Sequence, residues 1–239
     1  MDTLEVTDQP VIRPSTLMLR GLEKSIRSRE LCPGDRLPSE RELQEQYGCT
    51  RITIRDALLR LAASGLIYRQ PRKGWFVTPP RLICNPTRRI HFLHDARSQG
   101  FVPSTELISC KQEQAEGAAY DVLQDRDVYN ICRLRKLNGR PVLIENMHLL
   151  QHSFPDLHLQ QLDNSLTDLM RNHYQTYITG EEARICSTAL EDWQAELLQV
   201  TPGTPAIRIE RTRFDRTNRA VEFDIEYWLH DAIELHVRS

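Results

Sequence analysis

Two short helices separated by a turn of only a few residues are the feature that most constrains this chain. Ser39 and Glu42 have the spacing of a capping box, which predicts a helix beginning directly after Ser39. Gly48 predicts the end of that helix, and Thr50 is suited to cap a second helix that ends at Gly65. Two short helices joined in this way form a helix-turn-helix arrangement.

The second of these helices has an apolar face and a basic one. Ile54, Leu58 and Leu61 recur at helical spacing and should pack inward, whereas Arg51 and Arg55 lie one turn apart on the opposite side. Side chains on the first turns of such a helix reach base edges in the DNA major groove, where arginine can donate two hydrogen bonds to guanine. The alternative is a solvated basic face on an ordinary helical bundle.

A predicted β-hairpin with a basic tip follows these helices. Residues 66–69 and 75–77 have strand character, and residues 70–74 would form the turn between them. Arg72, Lys73 and Gly74 would then lie along DNA phosphates or enter the minor groove. The hairpin favours a winged helix-turn-helix over a plain bundle.

The uneven charge of the chain predicts two modules with different partners. Residues 13–78 hold 13 Lys and Arg against 7 Asp and Glu, whereas residues 79–239 hold 18 against 23. A proline pair at Pro79 marks the boundary, because prolines continue neither helix nor sheet. We therefore predict a DNA-binding domain over 13–78, a linker over 79–89 and a second domain over 90–239.

Several protein classes are excluded by composition and pattern. The chain has no long uncharged apolar run, which excludes a membrane span, and its acidic N-terminus is unlike a signal peptide. Six cysteines without a C-x-x-C pair predict reduced core thiols and a cytoplasmic location. We find no phosphate-binding loop, nucleophile elbow or catalytic triad, and no third ligand is placed for the histidine pairs His91/His94 and His148/His152, so we expect no enzyme, no cofactor and no metal.

The second module has a predicted hairpin that carries two arginines. Residues 128–137 and 141–149 have strand character, and Arg133 and Arg135 are two apart, so they point to the same face. Two adjacent guanidinium groups can clamp a phosphate or phosphonate dianion. The alternative is a pair of surface arginines that bridge to acids.

The turn of this hairpin decides which side chains share that face. A two-residue loop at Asn138 and Gly139 would put Glu145 on the face opposite to Arg133. A three-residue loop with a bulge at Gly139 would pair Arg133 with Leu143 and put Glu145 on the arginine face. We favour the three-residue loop, mainly because of the family resemblance given below.

Three carboxylates alternate with apolar residues in a predicted last strand over residues 220–229. Glu222, Asp224 and Glu226 therefore lie on one face, where they repel one another unless they are solvated or paired. One or two of them can hold a ligand ammonium group. The alternative is ion pairing with arginines of the preceding strand, namely Arg208, Arg211 and Arg213.

A helix is predicted to begin near Ser165, which has capping-box spacing to Asp168. Because a helix N-terminus presents unpaired N–H groups, it can bind an anion. The alternative is an ordinary cap with no ligand.

Residues 13–78 resemble the GntR family of bacterial transcription factors. The resemblance lies in four motifs in order, over residues 37–41, 50–58, 65–67 and 74–77. It departs from the family's Gly-x-Gly-Thr wing pattern, since Arg72 and Trp75 replace the first glycine and the threonine. Together with the basic hairpin, it predicts these residues as DNA-binding: Ser39, Arg41, Thr50, Arg51, Thr53, Arg55, Arg69, Arg72, Lys73 and Gly74.

Residues 80–239 resemble the UTRA effector-binding domain of HutC-type GntR regulators. The motifs are Arg133-x-Arg135, Pro141 with Glu145, and Glu222. The resemblance implies an α+β fold, namely a chorismate-lyase-like antiparallel sheet with helices. Sharing the fold of a lyase does not imply lyase activity. It also implies that Arg133, Arg135 and Ser165 bind a phosphate group, while Glu145 and Glu222 contact the rest of the ligand. The hydroxyl donors of the family's first helix are missing here, and Thr87 or His91 would replace them.

Within that family, residues 51–55, 74–79 and 224–231 resemble PhnR-type regulators of phosphonate use. This implies a ligand-responsive regulator controlled by a small phosphonate or phosphate, 2-aminoethylphosphonate above all, which binds a pseudo-palindromic DNA operator as a homodimer. The alternatives are an enzyme acting on a small phosphorylated compound, a regulator that senses a sugar phosphate, and a constitutive DNA-binding protein. The predicted effector-binding residues are Arg133, Arg135, Glu145, Ser165, Glu222, Asp224 and Trp228.

Overall fold

The computed structural model describes residues 13–86 and 91–237, and the chain divides into two compact units, residues 1–79 and 80–239. The described part of the first unit consists of three helices followed by a β-hairpin. These elements are α1 (Pro14–Arg27), α2 (Glu40–Tyr47), α3 (Arg51–Ala63), β1 (Ile67–Gln70) and β2 (Gly74–Val77).

Local capping explains where the two central helices begin. Ser39 Oγ accepts a hydrogen bond from the backbone N–H of Glu42 at 3.2 Å, and the Glu42 carboxylate accepts one from the N–H of Ser39 at 2.7 Å. Gly48 ends α2 with a φ of 63°, and Thr50 caps α3 through the N–H of Thr53. The predicted helix-turn-helix is therefore confirmed. The core of this unit includes Met18, Leu22, Leu43, Ile54, Leu58, Leu61, Trp75 and Val77.

The wing is a short antiparallel hairpin in which Gln70 pairs with Gly74. Its turn is therefore shorter by one residue at each end than the predicted turn over 70–74. Gly74 has a φ of 108°, and a Cβ there would lie 3.4 Å from Nε of Arg36. The backbone angle favours glycine at this position.

The second unit is built on a six-stranded antiparallel sheet with the strand order β4-β5-β6-β9-β8-β7. The α+β fold that the resemblance implied is confirmed. Its strands are β3 (Leu82–Cys84), β4 (Pro103–Gln114), β5 (Asp127–Leu137), β6 (Arg140–Leu150), β7 (Gly180–Ala189), β8 (Pro205–Phe214), β9 (Ala220–Leu229) and β10 (Ile233–Leu235). Its α-helices are α4 (Phe92–Ser98), α5 (Gly117–Leu123), α6 (Leu166–Asn172) and α7 (Asp192–Leu197), with single 3₁₀ turns at Gln151–Ser153 and Leu157–Leu159.

Helices cover both faces of this sheet. On one face, Leu123 of α5 packs in a cluster with Phe223 of β9. On the other, Phe92 of α4 lies 6.1 Å, between ring centroids, from Trp228 of β9, and Met170 of α6 is buried with residues of β5 and β6. Even-numbered residues of β9 thus face α4 and α6, because strand side chains alternate between the two faces.

The turn between β5 and β6 differs from the predicted one. Asn138 and Gly139 form a two-residue loop that leaves Leu137 paired with Arg140. Both loop residues have positive φ, 51° and 80°. Tight hairpins with a right-handed twist need such angles, and an Asn-Gly pair adopts them readily. The preferred three-residue loop with a bulge at Gly139 is therefore wrong.

A bulge further along the hairpin restores the predicted face. Val142 is skipped in the pairing, so that Arg135 lies opposite Leu143 and Arg133 opposite Glu145. The predicted pair of Arg133 with Leu143 is wrong, because the extra residue is absorbed in β6 and not in the turn. Glu145 nevertheless lies on the face of the two arginines, as predicted.

Part of the predicted linker belongs to the second unit. Within the segment 79–89, β3 pairs in parallel with β10, and Leu82 lies opposite Ile233. Three apolar residues are too short a run to signal a strand when the partner strand is about 150 residues away. Thr87, a predicted substitute hydroxyl donor, lies outside the described residues.

All six cysteines are free thiols, but Cys84 alone among them is buried, while Cys32 and Cys186 are exposed. The prediction of core thiols therefore holds for Cys84 and not for the set. Within residues 13–86 and 91–237, no helix is both long and apolar enough to cross a membrane.

Candidate functional site

The first turns of α3 present two arginines to solvent. The Arg51 side chain is 77% exposed, and its Nε donates to Glu40 at 3.2 Å. Arg55 is exposed and has no hydrogen bond or ion pair with any other described residue. Guanidinium donors without strong internal partners remain available for base edges or phosphates.

A basic groove, formed by α2, the start of α3 and the wing, collects seven of the ten predicted DNA-binding residues. The other three, Thr50, Thr53 and Arg55, lie at the start of α3 and do not line the groove. A concave surface rich in arginine and lysine suits a polyanion such as DNA. Its predicted members are Ser39, Arg41, Arg51, Arg69, Arg72, Lys73 and Gly74.

The hydroxyls among the predicted DNA-binding residues also have partners inside the protein. Ser39 belongs to the capping box of α2. Thr50 Oγ1 accepts from the N–H of Thr53 at 3.3 Å and lies 2.9 Å from Thr53 Oγ1. Ser39 and Thr50 therefore fix where the two helices begin, whatever else they contact.

Glu40 is a groove residue that sequence reasoning missed. Its two carboxylate oxygens accept from Trp75 Nε1 of the wing at 3.4 Å and from Arg51 Nε of α3 at 3.2 Å. The guanidinium of Arg69 lies 5.8 Å from the centroid of the Trp75 ring. Glu40 thus connects the start of α2 to both α3 and the wing, and the tryptophan in place of the usual wing threonine was its signal.

The second unit contains a cavity of about 180 Å³ between the sheet, α4 and the start of α6. All seven predicted effector-binding residues line it: Arg133, Arg135, Glu145, Ser165, Glu222, Asp224 and Trp228. The two arginines therefore share one enclosed space with the carboxylates of β9. Sequence reasoning missed the lining residues His94, Arg97 and Asp168 and considered Arg213 only as an ion-pair partner.

Arg133 is almost wholly engaged by the protein. Its Nε and Nη2 lie 3.0 and 2.8 Å from one Glu145 oxygen, and its Nη1 donates to the carbonyls of Leu162 and Asn164. Burial lowers the pKa of Arg133 to about 10, which leaves it cationic at neutral pH. Arg133 therefore holds the segment that leads to Ser165.

Arg135 keeps donors for a ligand. Its Nε donates to Glu145 at 2.9 Å and its Nη1 to Thr105 Oγ1 at 2.7 Å, but Nη2 has no hydrogen bond to any residue within the described ranges. Burial would raise the pKa of Glu145, but Arg133 and Arg135 lower it to about 2. Two cations around one carboxylate leave this wall with a net positive charge.

Two strands away from β5, on β9, the same sheet face carries buried carboxylates. Glu222 and Asp224 are each 2% exposed, and both accept from the same Nη1 of Arg213, at 2.6 Å in the case of Asp224. Burial and the carboxylate of Glu222 raise the pKa of Asp224 well above its ordinary value, despite the opposing charge of Arg213. The predicted alternative, pairing with arginines of the preceding strand, is thus realised for these two residues.

Glu226 is also paired. It accepts from Arg211 Nε and from Trp228 Nε1, each at 2.9 Å. Arg208, the third arginine of that alternative, bonds to Glu210 instead. Trp228 therefore acts first as a donor that fixes Glu226 at the cavity wall.

Ser165 and His91 lie at the remaining side of the cavity. Ser165 Oγ accepts from the backbone N–H of Asp168 at 3.2 Å, the ordinary cap of α6. The hydroxyl hydrogen of Ser165 can still be donated to a ligand. His91 lines the cavity, and its backbone N–H donates to Asp95 at 2.9 Å.

Two family models match the chain in the two units. The model described as "Bacterial regulatory proteins, gntR family" matches residues 19–77, and the model described as "UTRA domain" matches residues 98–234.

Similar proteins include the uncharacterized HTH-type transcriptional regulator YihL of Escherichia coli, 32% identical over 85% of this chain and 88% of YihL. The HTH-type transcriptional repressor NagR of Bacillus subtilis is 28% identical over 86% of each chain. The crystal structure of PhnF from Mycobacterium smegmatis has a TM-score of 0.65 at 24% identity and covers 95% of this chain and 99% of its own. The chain is a transcriptional regulator rather than an enzyme, and it belongs to the GntR family with a UTRA effector-binding domain.

Proposed function

We propose that this protein is a repressor whose affinity for DNA is controlled by a small phosphonate or phosphate, and that 2-aminoethylphosphonate is its effector. The observation that carries the proposal is the cavity over one sheet face, which carries guanidinium groups on β5 and buried carboxylates on β9. 2-Aminoethylphosphonate has the matching charges, an anionic phosphonate and an ammonium group separated by two carbons.

The size of the cavity favours a compact effector. Its volume of about 180 Å³ is below the roughly 300–1,000 Å³ of pockets for drug-sized ligands. A sugar phosphate, the alternative effector, would need the walls to move apart. The cavity itself favours a ligand-responsive protein over a constitutive DNA-binding one.

In this proposal Arg135 and Ser165 bind the phosphonate oxygens directly. Arg133 sits behind them and orients Glu145 and the segment before Ser165. Glu222 and Asp224 receive the ammonium, and Trp228 keeps Glu226 in place. The amine and the phosphonate would thus be recognised by different strands, β9 and β5.

On DNA, we propose that Arg51 and Arg55 read bases in the major groove, with Thr53 beside them. The wing residues Arg72 and Lys73 would contact phosphates or the minor groove. A homodimer would place two copies of the first unit on a pseudo-palindromic operator, because two-fold protein symmetry matches two-fold DNA. The repressor role is supported by the relative NagR, which is described as a transcriptional repressor.

Calorimetry on the full chain tests the effector. We expect 2-aminoethylphosphonate to bind more tightly than inorganic phosphate or N-acetylglucosamine-6-phosphate, and to shift the midpoint of a gel-shift titration on the operator. Tighter binding of the sugar phosphate would transfer the assignment to that alternative. No heat with any of the three ligands, and no effect on DNA binding, would favour the constitutive alternative.

A further inference from the structure

One carboxylate oxygen of a residue that lines the cavity has no hydrogen-bond donor among the described residues. Asp224 is buried, and its Oδ2 accepts from Arg213, but its Oδ1 makes no hydrogen bond within the described residues. Polar atoms of this kind are rare in folded proteins, because burial removes their water without replacing its hydrogen bonds. Such an oxygen is satisfied either by a proton shared with the neighbouring Glu222 or by a donor of the ligand.

The charges around the cavity do not balance in favour of an anion. Four arginines and five carboxylates line the cavity. With all of them ionised, the lining as a whole carries a net negative charge before a dianion enters. A phosphonate would add to that excess. Either the ligand brings a positive charge or the wall takes up a proton.

Every element packed around Asp224 contributes to this field. Glu222 and Glu226 flank it on β9, Arg211 and Arg213 face it from β8, and Glu181 of β7 bonds to both of those arginines. Glu145 and Arg133 come from β6 and β5, His91, His94 and Arg97 from the α4 side, and Asp168 from α6. Of the carboxylates, Glu145 is held ionised by two guanidinium groups.

Among the lining carboxylates, Glu222 and Asp224 share a single cationic partner. They are two residues apart on one strand, both 2% exposed, and both share a single Arg213 Nη1. One guanidinium nitrogen does not neutralise two buried carboxylates, and the raised pKa of Asp224 agrees with this. Two close carboxylates of this kind bind one proton between them.

We propose that, before the effector binds, the cavity holds one exchangeable proton on the Glu222–Asp224 pair, and that the ammonium group of the effector displaces it when it donates to Asp224 Oδ1. In this exchange the carboxyl O–H bond breaks, the proton passes to solvent buffer, and the freed carboxylate accepts an N–H from the ammonium. This inference rests on the proposed function, since it needs an effector that carries both a phosphonate and an amine.

The exchange has consequences for specificity and for pH. An analogue without the amine, such as ethylphosphonate, leaves the proton on the pair. Below the pKa of the pair, the affinity for the amine-bearing effector rises with pH, because less work is needed to remove the proton. Above that pKa the gain ends.

Calorimetry in buffers of different ionisation enthalpy, such as PIPES, HEPES and Tris at one pH, counts the protons released. With 2-aminoethylphosphonate, we expect the full-length wild type to release about one proton more than Asp224→Asn, whose amide cannot ionise. Because both proteins bind the same ligand, any proton from the phosphonate itself cancels in this difference. Glu222→Gln is a second isosteric variant, and it should lower the count in the same direction.

Glu210→Gln is the matched control, because Glu210 lies on β8 outside the cavity lining and pairs with Arg208. It should keep the wild-type proton count. Binding with equal counts in wild type, Asp224→Asn and Glu222→Gln would overturn the proton exchange and leave the proposed function standing. Absence of binding by the wild type in all buffers would instead overturn the proposed function, and the exchange with it.

Discussion

The two units use arginine in opposite ways. In the first unit, residues 13–79, which we call the DNA-binding head, the side chains of Arg41 and Arg51 are 81% and 77% exposed. Each has one weak carboxylate contact. In the cavity, Arg133 and Arg135 are 3% and 5% exposed and bond to several protein oxygens. The same residue type therefore serves a large external polyanion in one unit and a small enclosed ligand in the other.

This difference in exposure distinguishes arginines that can bind a partner from arginines that hold other groups of the protein in place. An exposed guanidinium contributes little to stability, because solvent already satisfies it, and its donors remain available to a partner. A buried guanidinium has exchanged water for protein oxygens, so removing it leaves those oxygens and a counter-charge unpaired. We therefore expect arginine substitutions in the head to weaken DNA binding and those in the cavity to weaken folding.

The largest effect is expected for Arg133→Ala. Glu145 would keep only Arg135, and the carbonyls of Leu162 and Asn164 would lose their donor. We expect a loss of about 3–5 kcal/mol in the free energy of unfolding, measured by urea denaturation. Arg184→Ala, which removes an arginine that is 79% exposed on β7, should cost less than about 0.5 kcal/mol. A similarly small loss of unfolding free energy for Arg133→Ala would contradict the distinction between the two units.

Acid should act mainly on the cavity. The pKa of Glu145 falls from its ordinary 4.5 to about 2 in the folded protein, so its contribution is complete above 4.5 and lost as the pH drops towards 2. This lowering corresponds to on the order of 3 kcal/mol. Unfolding of Glu145→Gln, followed against pH, should lack that acid-dependent loss. Glu45→Gln, which removes an exposed partner of Arg41, should retain it.

The head was the more predictable region, because its signals are local. Ser39, Gly48 and Thr50 act within four residues of their own position, and each works in the structure as its spacing predicted. The wing ends moved by a single residue. Glu40 was missed because its two partners, Arg51 and Trp75, are brought to it by the tertiary fold.

For the cavity, the sequence predicted only which residues share one face of a strand. Residues two apart share a face, which placed Arg133 beside Arg135 and Asp224 beside Glu222. The sequence does not indicate that β6 pairs with β9, which sets Glu145 directly opposite Glu226. Nor does it indicate the bulge at Val142, because that depends on how the twisted hairpin fits its neighbouring strands.

A smaller effect, confined to the head, is expected for Arg55→Ala. Its guanidinium has no partner within the described residues, so its loss should not alter stability. We expect specific operator binding to weaken by about 1–3 kcal/mol, with relaxed preference at one base pair. Arg60→Ala, in the last turn of α3, is the matched control and should cost less. Equal losses on operator and random DNA, measured by fluorescence anisotropy, would place Arg55 on a phosphate instead.

The smallest effect tests the wing. Lys73 is exposed at the hairpin tip, in the turn that Gln70 and Gly74 close, and a lysine there can meet phosphates without reading bases. Lys73→Ala should lower the slope of log affinity against log salt by about 1, with similar losses on operator and random DNA. Lys111→Ala, an exposed lysine of β4 in the second unit, should leave the slope unchanged. An unchanged slope for Lys73→Ala would mean that the wing stands away from the backbone. The exposed cations of the head would then divide further, into those of α3 that bind DNA and those of the wing that only raise the local potential.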